Sequence, residues 1–124
     1  MIERLLDSVI LIDHFNGVPE ATRFLSGLDP SKTAISVITR AEILVGFDED
    51  DAEKPKALMD LYVLLSIGKE AADKAAALRR EQRWKLPDAF QAALATTAGI
   101  RLSTRNTKDF DPAKYDFIEV PYLI

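Results

Sequence analysis

The chain has 124 residues, of which 48% are hydrophobic and 29% charged, and its formal charge is −4 at pH 7. That length predicts one domain over residues 1–124, and the balance is that of a globular rather than a disordered chain. The sequence has no cysteine and one histidine, His14, which excludes disulfides, a thiolate nucleophile and zinc held by imidazoles, so any metal must be a hard ion held by carboxylates, Mg²⁺ or Mn²⁺.

Arg4 lies within a segment, Ile2 to Asp7, that reads as a short strand, followed by a helix from Val9 to Phe15 that stops at Asn16-Gly17. Pro19 starts a second helix running to about Gly27, with Ala21, Phe24, Leu25 and Leu28 on one side. Thr33 to Ser36 is a second strand, and a helix from about Ile38 to Gly46 follows directly. The acidic run Asp48 to Asp51 is a loop, and Pro55 begins a helix carrying Ala57, Leu58, Leu61, Tyr62 and Leu65 at helical spacing. A brief third strand is expected at Leu65 to Ile67, an alanine-rich helix at Glu70 to Arg83, and another helix at Asp88 to Ala98, closed by Gly99 in a left-handed stop. Strands at Leu102 to Thr104 and Phe117 to Val120 complete the pattern. Short apolar strands alternating with amphipathic helices predict an α/β fold with a central, mainly parallel β-sheet flanked by α-helices, and ligands bind beyond the carboxyl ends of such strands.

The apolar stretches Val9–Ile12 and Leu61–Leu65 are too short to span a bilayer, and Glu3 and Asp7 interrupt any signal-like start, so a cytoplasmic protein without membrane contact is expected. The negative charge argues against bulk electrostatic binding of nucleic acid. Its distribution is uneven: Arg79, Arg80, Arg83, Lys85, Arg101, Arg105 and Lys108 crowd the C-terminal half, either as a solvated helix face or as a phosphate-binding rim.

Four acids stand near the predicted strand ends: Asp7, Glu42, Asp88 and Asp109. Each has a local explanation. Thr39 to Glu42 matches a capping box, Asp88 with Gln91 another, Asn106 can cap a turn carrying Asp109, and Asp7 can pair with a nearby Lys or Arg. Capping does not explain why four acids should share one edge of one sheet. Two carboxylates ~5 Å apart repel by about 3 kcal/mol at an effective dielectric of ~20, so such a cluster must take up protons or cations. A divalent ion there would activate water for cleavage of a phosphodiester.

Four segments, in order, carry a resemblance that covers nearly the whole chain. Leu5-Leu6-Asp7-Ser8-Val9-Ile10-Leu11-Ile12-Asp13 resembles the LLDTNVLID opening of PIN domains of the VapC type. Ile35 to Gly46 resembles their IS-x-IT-x-AEL-x-x-G segment, Leu86 to Ala93 their LPDA-x-IAA helix, and Thr104 to Phe110 their TRN-x-KDF segment. The resemblance implies a PIN-like fold with Asp7, Glu42, Asp88 and Asp109 as catalytic, metal-binding acids. It implies a Mg²⁺- or Mn²⁺-dependent endoribonuclease, the toxin of a toxin–antitoxin pair, that hydrolyses RNA through metal-activated water. It further implies homodimerisation and a cognate VapB-type antitoxin, with DNA contacted only indirectly through that antitoxin. Thr104 and Asn106 match polar positions near the pocket, suited to orienting water or a phosphate oxygen.

One position departs from the pattern: Val9 stands where the family usually has Asn, which implies weaker orientation of Asp7, while Ser8 keeps the hydroxyl of the usual Thr. Val9 therefore favours a rival reading, a catalytically weakened PIN-fold module that binds protein or RNA. A phosphatase with Asp7 as nucleophile is a second rival, although Asp7-Ser8-Val9 lacks the Asp-x-Asp of haloacid-dehalogenase-type enzymes. His14 is expected to pack or face solvent, Asp13 to form a salt bridge or solvated face, and Trp84 to pack at a helix end. The small residues from Ala71 to Leu78 suit close helix packing, in the core or in a dimer.

Overall fold

A computed structural model describes all residues, 1–124. The strands are β1 (Arg4–Leu6), β2 (Thr33–Ser36), β3 (Val63–Leu65), β4 (Arg101–Ser103) and β5 (Ile118–Glu119). The helices are α1 (Ser8–Phe15), α2 (Pro19–Ser26), α3 (Val37–Val45), α4 (Glu53–Met59), α5 (Lys69–Gln82) and α6 (Leu86–Ala98). The strands form one sheet in the order β3-β2-β1-β4-β5, and every pairing is parallel.

Alternation along the strands divides the core into two layers. Leu5 and Ala34 face one side, with Leu102, Ala92, Ala95, Phe110 and Trp84. Leu6 and Ile35 face the other, with Ile10, Leu11, Leu25, Ile43 and Met59. Helices α5 and α6 thus cover one face, and α1 to α4 the opposite one. No helix is long and apolar enough to cross a membrane.

Several boundaries differ from the sequence-based expectation. α4 begins at Glu53 rather than Pro55, because the first turn of a helix has free N–H groups and tolerates proline inside it. α6 begins at Leu86 with Pro87 in its first turn, which makes Asp88 a first-turn residue instead of a cap. α3 is capped by Ser36, whose side chain accepts from the Thr39 N–H, so Thr39 does not open a capping box with Glu42. The third strand lies at Val63–Leu65, two residues earlier than expected, because its register pairs Ala34 with Val63 and Ser36 with Leu65. Gly99 closes α6 at φ 68°, the left-handed stop its sequence position predicted.

The small residues of α5 pack within the chain: Ala75 is buried against Ala89 and Ala93 of α6. Methyl-sized side chains let the two helices approach closely, and the seam has no room for more. Ala75→Leu is expected to destabilise the protein by about 1–3 kcal/mol through overpacking, read as a lower urea midpoint with an unchanged slope.

Candidate active site

The strand order reverses between β1 and β4, the switch point at which open parallel sheets bind ligands. Asp7 is the first residue beyond β1 and Thr104 the first beyond β4, and Thr104 Oγ1 donates to Asp7 Oδ2 at 2.7 Å. Asp7 also caps α1, accepting from the Ser8 N–H at 2.9 Å, and Gln91 Nε2 of α6 donates to the same oxygen at 3.3 Å. Only 6% of Asp7 is exposed, and no salt bridge compensates it. Burial pushes its carboxyl above the ordinary range, while the three donors pull the other way.

The other acids surround it at lower burial. Glu42, exposed on the second turn of α3, accepts from Ser8 Oγ at 2.7 Å. Asp88 is half-buried in the first turn of α6. Its carboxyl is pushed up to about 6, first by burial and then by the charges of Asp7, Asp109 and Glu42; Lys85 opposes this. Asp109 accepts from Asn106 Nδ2 at 3.1 Å, and its backbone carbonyl accepts from Trp84 Nε1 at 3.0 Å. Thr104 and Asn106 thus spend their side chains on the acids themselves, and the Asn106 N–H returns to Thr104 Oγ1 at 3.0 Å.

Sequence reasoning missed the polar side chains beneath this cluster. Thr39 Oγ1 accepts from Gln91 Nε2 at 2.8 Å and lies 3.1 Å from Ser8 Oγ. Gln91 is 1% exposed, in a helix otherwise lined with alanine. The available signal was its position one turn after Asp88, on the same face.

The residues set aside from the sequence fall mostly where expected. His14 Nδ1 meets Thr22 Oγ1 at 2.8 Å, on α1 beyond Asp7. Trp84 packs on Phe110 and Tyr115 with ring centroids 5.0 and 5.2 Å away. Asp13 forms a salt bridge, but a buried one: Arg105 donates to both its oxygens at 2.7 and 2.8 Å, and Tyr122 OH donates at 2.7 Å. Its carboxyl is held below the ordinary range chiefly by Arg105.

A cleft of about 400 Å³ opens over Asp7, lined also by Val9, Arg105, Asn106, Thr107 and Lys108, so an acidic floor meets a basic lip. A larger groove of about 750 Å³, lined by Phe15, Phe47, Pro55, Leu58 and the acids Asp50, Asp51 and Glu53, lies away from the cluster.

A PIN-domain profile matches residues 4–115. The chain belongs to the PIN-domain family. A toxin–antitoxin complex from Klebsiella pneumoniae contains a chain 37% identical to this PIN domain, with a TM-score of 0.87 over 98% of this chain and 100% of that one. DNA-bound VapBC from Salmonella typhimurium (23% identity, TM-score 0.80, covering 96% of this chain and 98% of that one) has the same fold. So does VapBC2 from Rickettsia felis bound to a promoter fragment (22% identity, TM-score 0.78, covering 96% and 98%). No curated protein matches in sequence. In fold this PIN domain matches chains solved within toxin–antitoxin complexes.

The four acids gather electrostatically around Asp88, but as their side chains stand no three close as a ligand group, because Asp7, Glu42 and Asp109 are each turned into hydrogen bonds. The donor set nonetheless fits a hard divalent cation: four carboxylates, none in a salt bridge, beside a buried Gln91 Oε1 that lacks a hydrogen-bond partner.

Folded Asp88 keeps its proton up to about pH 6, whereas the unfolded group releases it near 3.8. Its contribution to stability is therefore lost as pH rises through that window. In EDTA, Asp88→Asn is expected to raise the melting temperature at pH 7 and to give no gain below about pH 4. Arg105→Met leaves buried Asp13 with Tyr122 alone and is expected to cost about 1–3 kcal/mol by urea unfolding at pH 7. That cost shrinks once pH falls below the ordinary carboxylate range.

Proposed function

We propose that this PIN domain is a single-domain toxin of the VapBC kind, a Mg²⁺- or Mn²⁺-dependent endoribonuclease acting in the cytoplasm. One observation carries the reading: four carboxylates without cationic partners lie around the switch point of a PIN sheet, and burial together with the charges of the other three raises Asp88 to about 6. Asp7, Glu42, Asp88 and Asp109 would hold the cation. The chemistry supplied by a bound divalent ion would be activation of water and neutralisation of charge on the scissile phosphate. Thr104 holds Asp7 and Asn106 holds Asp109 in the metal-free chain, and both carboxylates would have to share or release those donors to take the cation.

RNA is the proposed substrate on the resemblance to VapC-type PIN domains, and Lys108, on the lip of the cleft over Asp7, would meet a phosphate there, whereas Arg105 is already paired with Asp13. A phosphoenzyme on Asp7 is the poorer reading, since both oxygens already accept hydrogen bonds and the side chain is buried. The similarity to chains solved in toxin–antitoxin complexes supports a cognate antitoxin as partner; a homodimer as the toxin's own assembly and DNA contact only through that antitoxin complete the proposal. The large groove suits that partner, because a neighbouring pocket shares Phe15 and Phe47 with it and continues to Glu42. A segment seated there would end beside Glu42.

The test is cleavage of total RNA by wild type and Asp7→Ala, with Mn²⁺ or Mg²⁺ and with EDTA. Wild type is expected to release discrete fragments only with metal, and Asp7→Ala to lose more than ~100-fold in rate, beyond the 10–100-fold typical of outer-shell residues. Metal-independent cleavage, or equal rates for the two proteins, removes the four-acid reading. Absence of cleavage and of metal binding favours the binding module.

A further inference from the structure

The helix that carries Asp88 departs from its family pattern at one buried position. In LPDA-x-IAA the residue three after Asp is Ile; here it is Gln91. The β1–α1 segment departs too, with Val9 in place of Asn. One departure removes a polar side chain from the cluster, and the other supplies one.

The hydrogen bonds around Gln91 have one consistent direction. Its amide has two protons: one is directed to Asp7 Oδ1 at 3.3 Å, the other to Thr39 Oγ1 at 2.8 Å. Ser8 Oγ has a single proton and gives it to Glu42 Oε1 at 2.7 Å. The 3.1 Å contact between Ser8 and Thr39 must then run from Thr39 Oγ1 to Ser8 Oγ. The result is a chain from Gln91 through Thr39 and Ser8 to Glu42, with a branch to Asp7. Thr39 is fully buried, Gln91 1% and Ser8 7% exposed, so the chain is shielded from water up to its end at exposed Glu42. Val9, by contrast, lines the open cleft beside Asp7 and has nothing to donate.

We infer that Gln91 is a positioning residue that fixes the Asp7 and Glu42 carboxylates together, doing from beneath the sheet edge what an amide at position 9 would do from the cleft. The inference rests on the metal-dependent reading of the cluster. It explains how this chain keeps two acids oriented without the Asn. An apolar residue at 91 takes one donor from Asp7 directly and leaves Thr39 Oγ1 with Ser36 Oγ at 3.4 Å as its remaining donor, which loosens the hold on Ser8 and, through it, on Glu42.

The experiment is calorimetric titration of the full chain with MnCl₂, together with melting of the metal-free protein. Gln91→Met keeps the volume and removes the amide. It is expected to weaken Mn²⁺ binding by about 10–100-fold, the range for outer-shell partners. Adding Val9→Asn to that variant is expected to recover much of the affinity, which repair of packing alone would not do. If Gln91→Met does not fold, Gln91→Ile, the residue of the family pattern, asks the same question. Equal affinity for wild type and the Gln91 variant overturns the inference, as does a loss that Val9→Asn leaves uncorrected. Wild type that binds no Mn²⁺ overturns the metal reading and this inference with it; wild type that binds, beside a variant that binds as well, overturns this inference alone.

Discussion

The hydrogen bond from Thr104 to Asp7 is the tie on which the carboxyl edge of this sheet depends. It joins the first residues beyond two adjacent central strands, where backbone pairing has just ended. The Asp7 N–H still bonds the Ser103 carbonyl at 2.9 Å, so the side-chain bond continues the ladder by one step. A carboxylate in that place is expensive to bury. It is tolerated because donors reach it from three directions: Ser8 on α1, Thr104 after β4 and Gln91 on α6.

From that buried point the negative charge becomes more exposed through Asp88 and Asp109 to Glu42. The amino ends of α1 and α6 both face acids, Asp7 as cap and Asp88 in the first turn, and their dipoles offset part of the repulsion. Burial first, and the charges of the other three acids second, still raise the Asp88 carboxyl. The segment after β4 is held on two sides: Trp84 grips the Asp109 carbonyl from the α5–α6 face, and Asp13 grips Arg105 from α1. The acids are thus presented by rigid elements, and the segment between Thr104 and Asp109 has little freedom despite lacking regular structure.

Much of this was legible in the chain. Strand β2 and the left-handed stop at Gly99 are local matters, set by β-branched residues and by glycine, and they appear where the pattern places them. The four acids stood out because charges amid Leu, Ile and Ala need a reason. The local capping readings for Glu42 and Asp88 failed because both helices start earlier, Ser36 and the Leu86-Pro87 turn having taken those roles. Asp7 found no Lys or Arg, only uncharged donors. Gln91 was hidden, since a lone glutamine among alanines resembles a surface residue until α6 is laid under β1. The pairing of Asp13 with Arg105, 92 residues apart, depends wholly on the switch point and leaves no local trace.

The sheet order has a consequence for the life of the chain during synthesis. β1 emerges first but sits between β2 and β4, and Asp7 waits for a partner 97 residues further on. Loop closure over that distance comes late, because its entropic cost is met only when β4 docks. A nascent chain carrying β1 to α5 holds Asp7 and Glu42 but lacks Asp88, Thr104 and Asp109. Until α6 and β4 have formed, Asp7 has neither Asp88 and Asp109 beside it nor Thr104 to hold it, so the acidic cluster closes only after the C-terminal half of the sheet has been made.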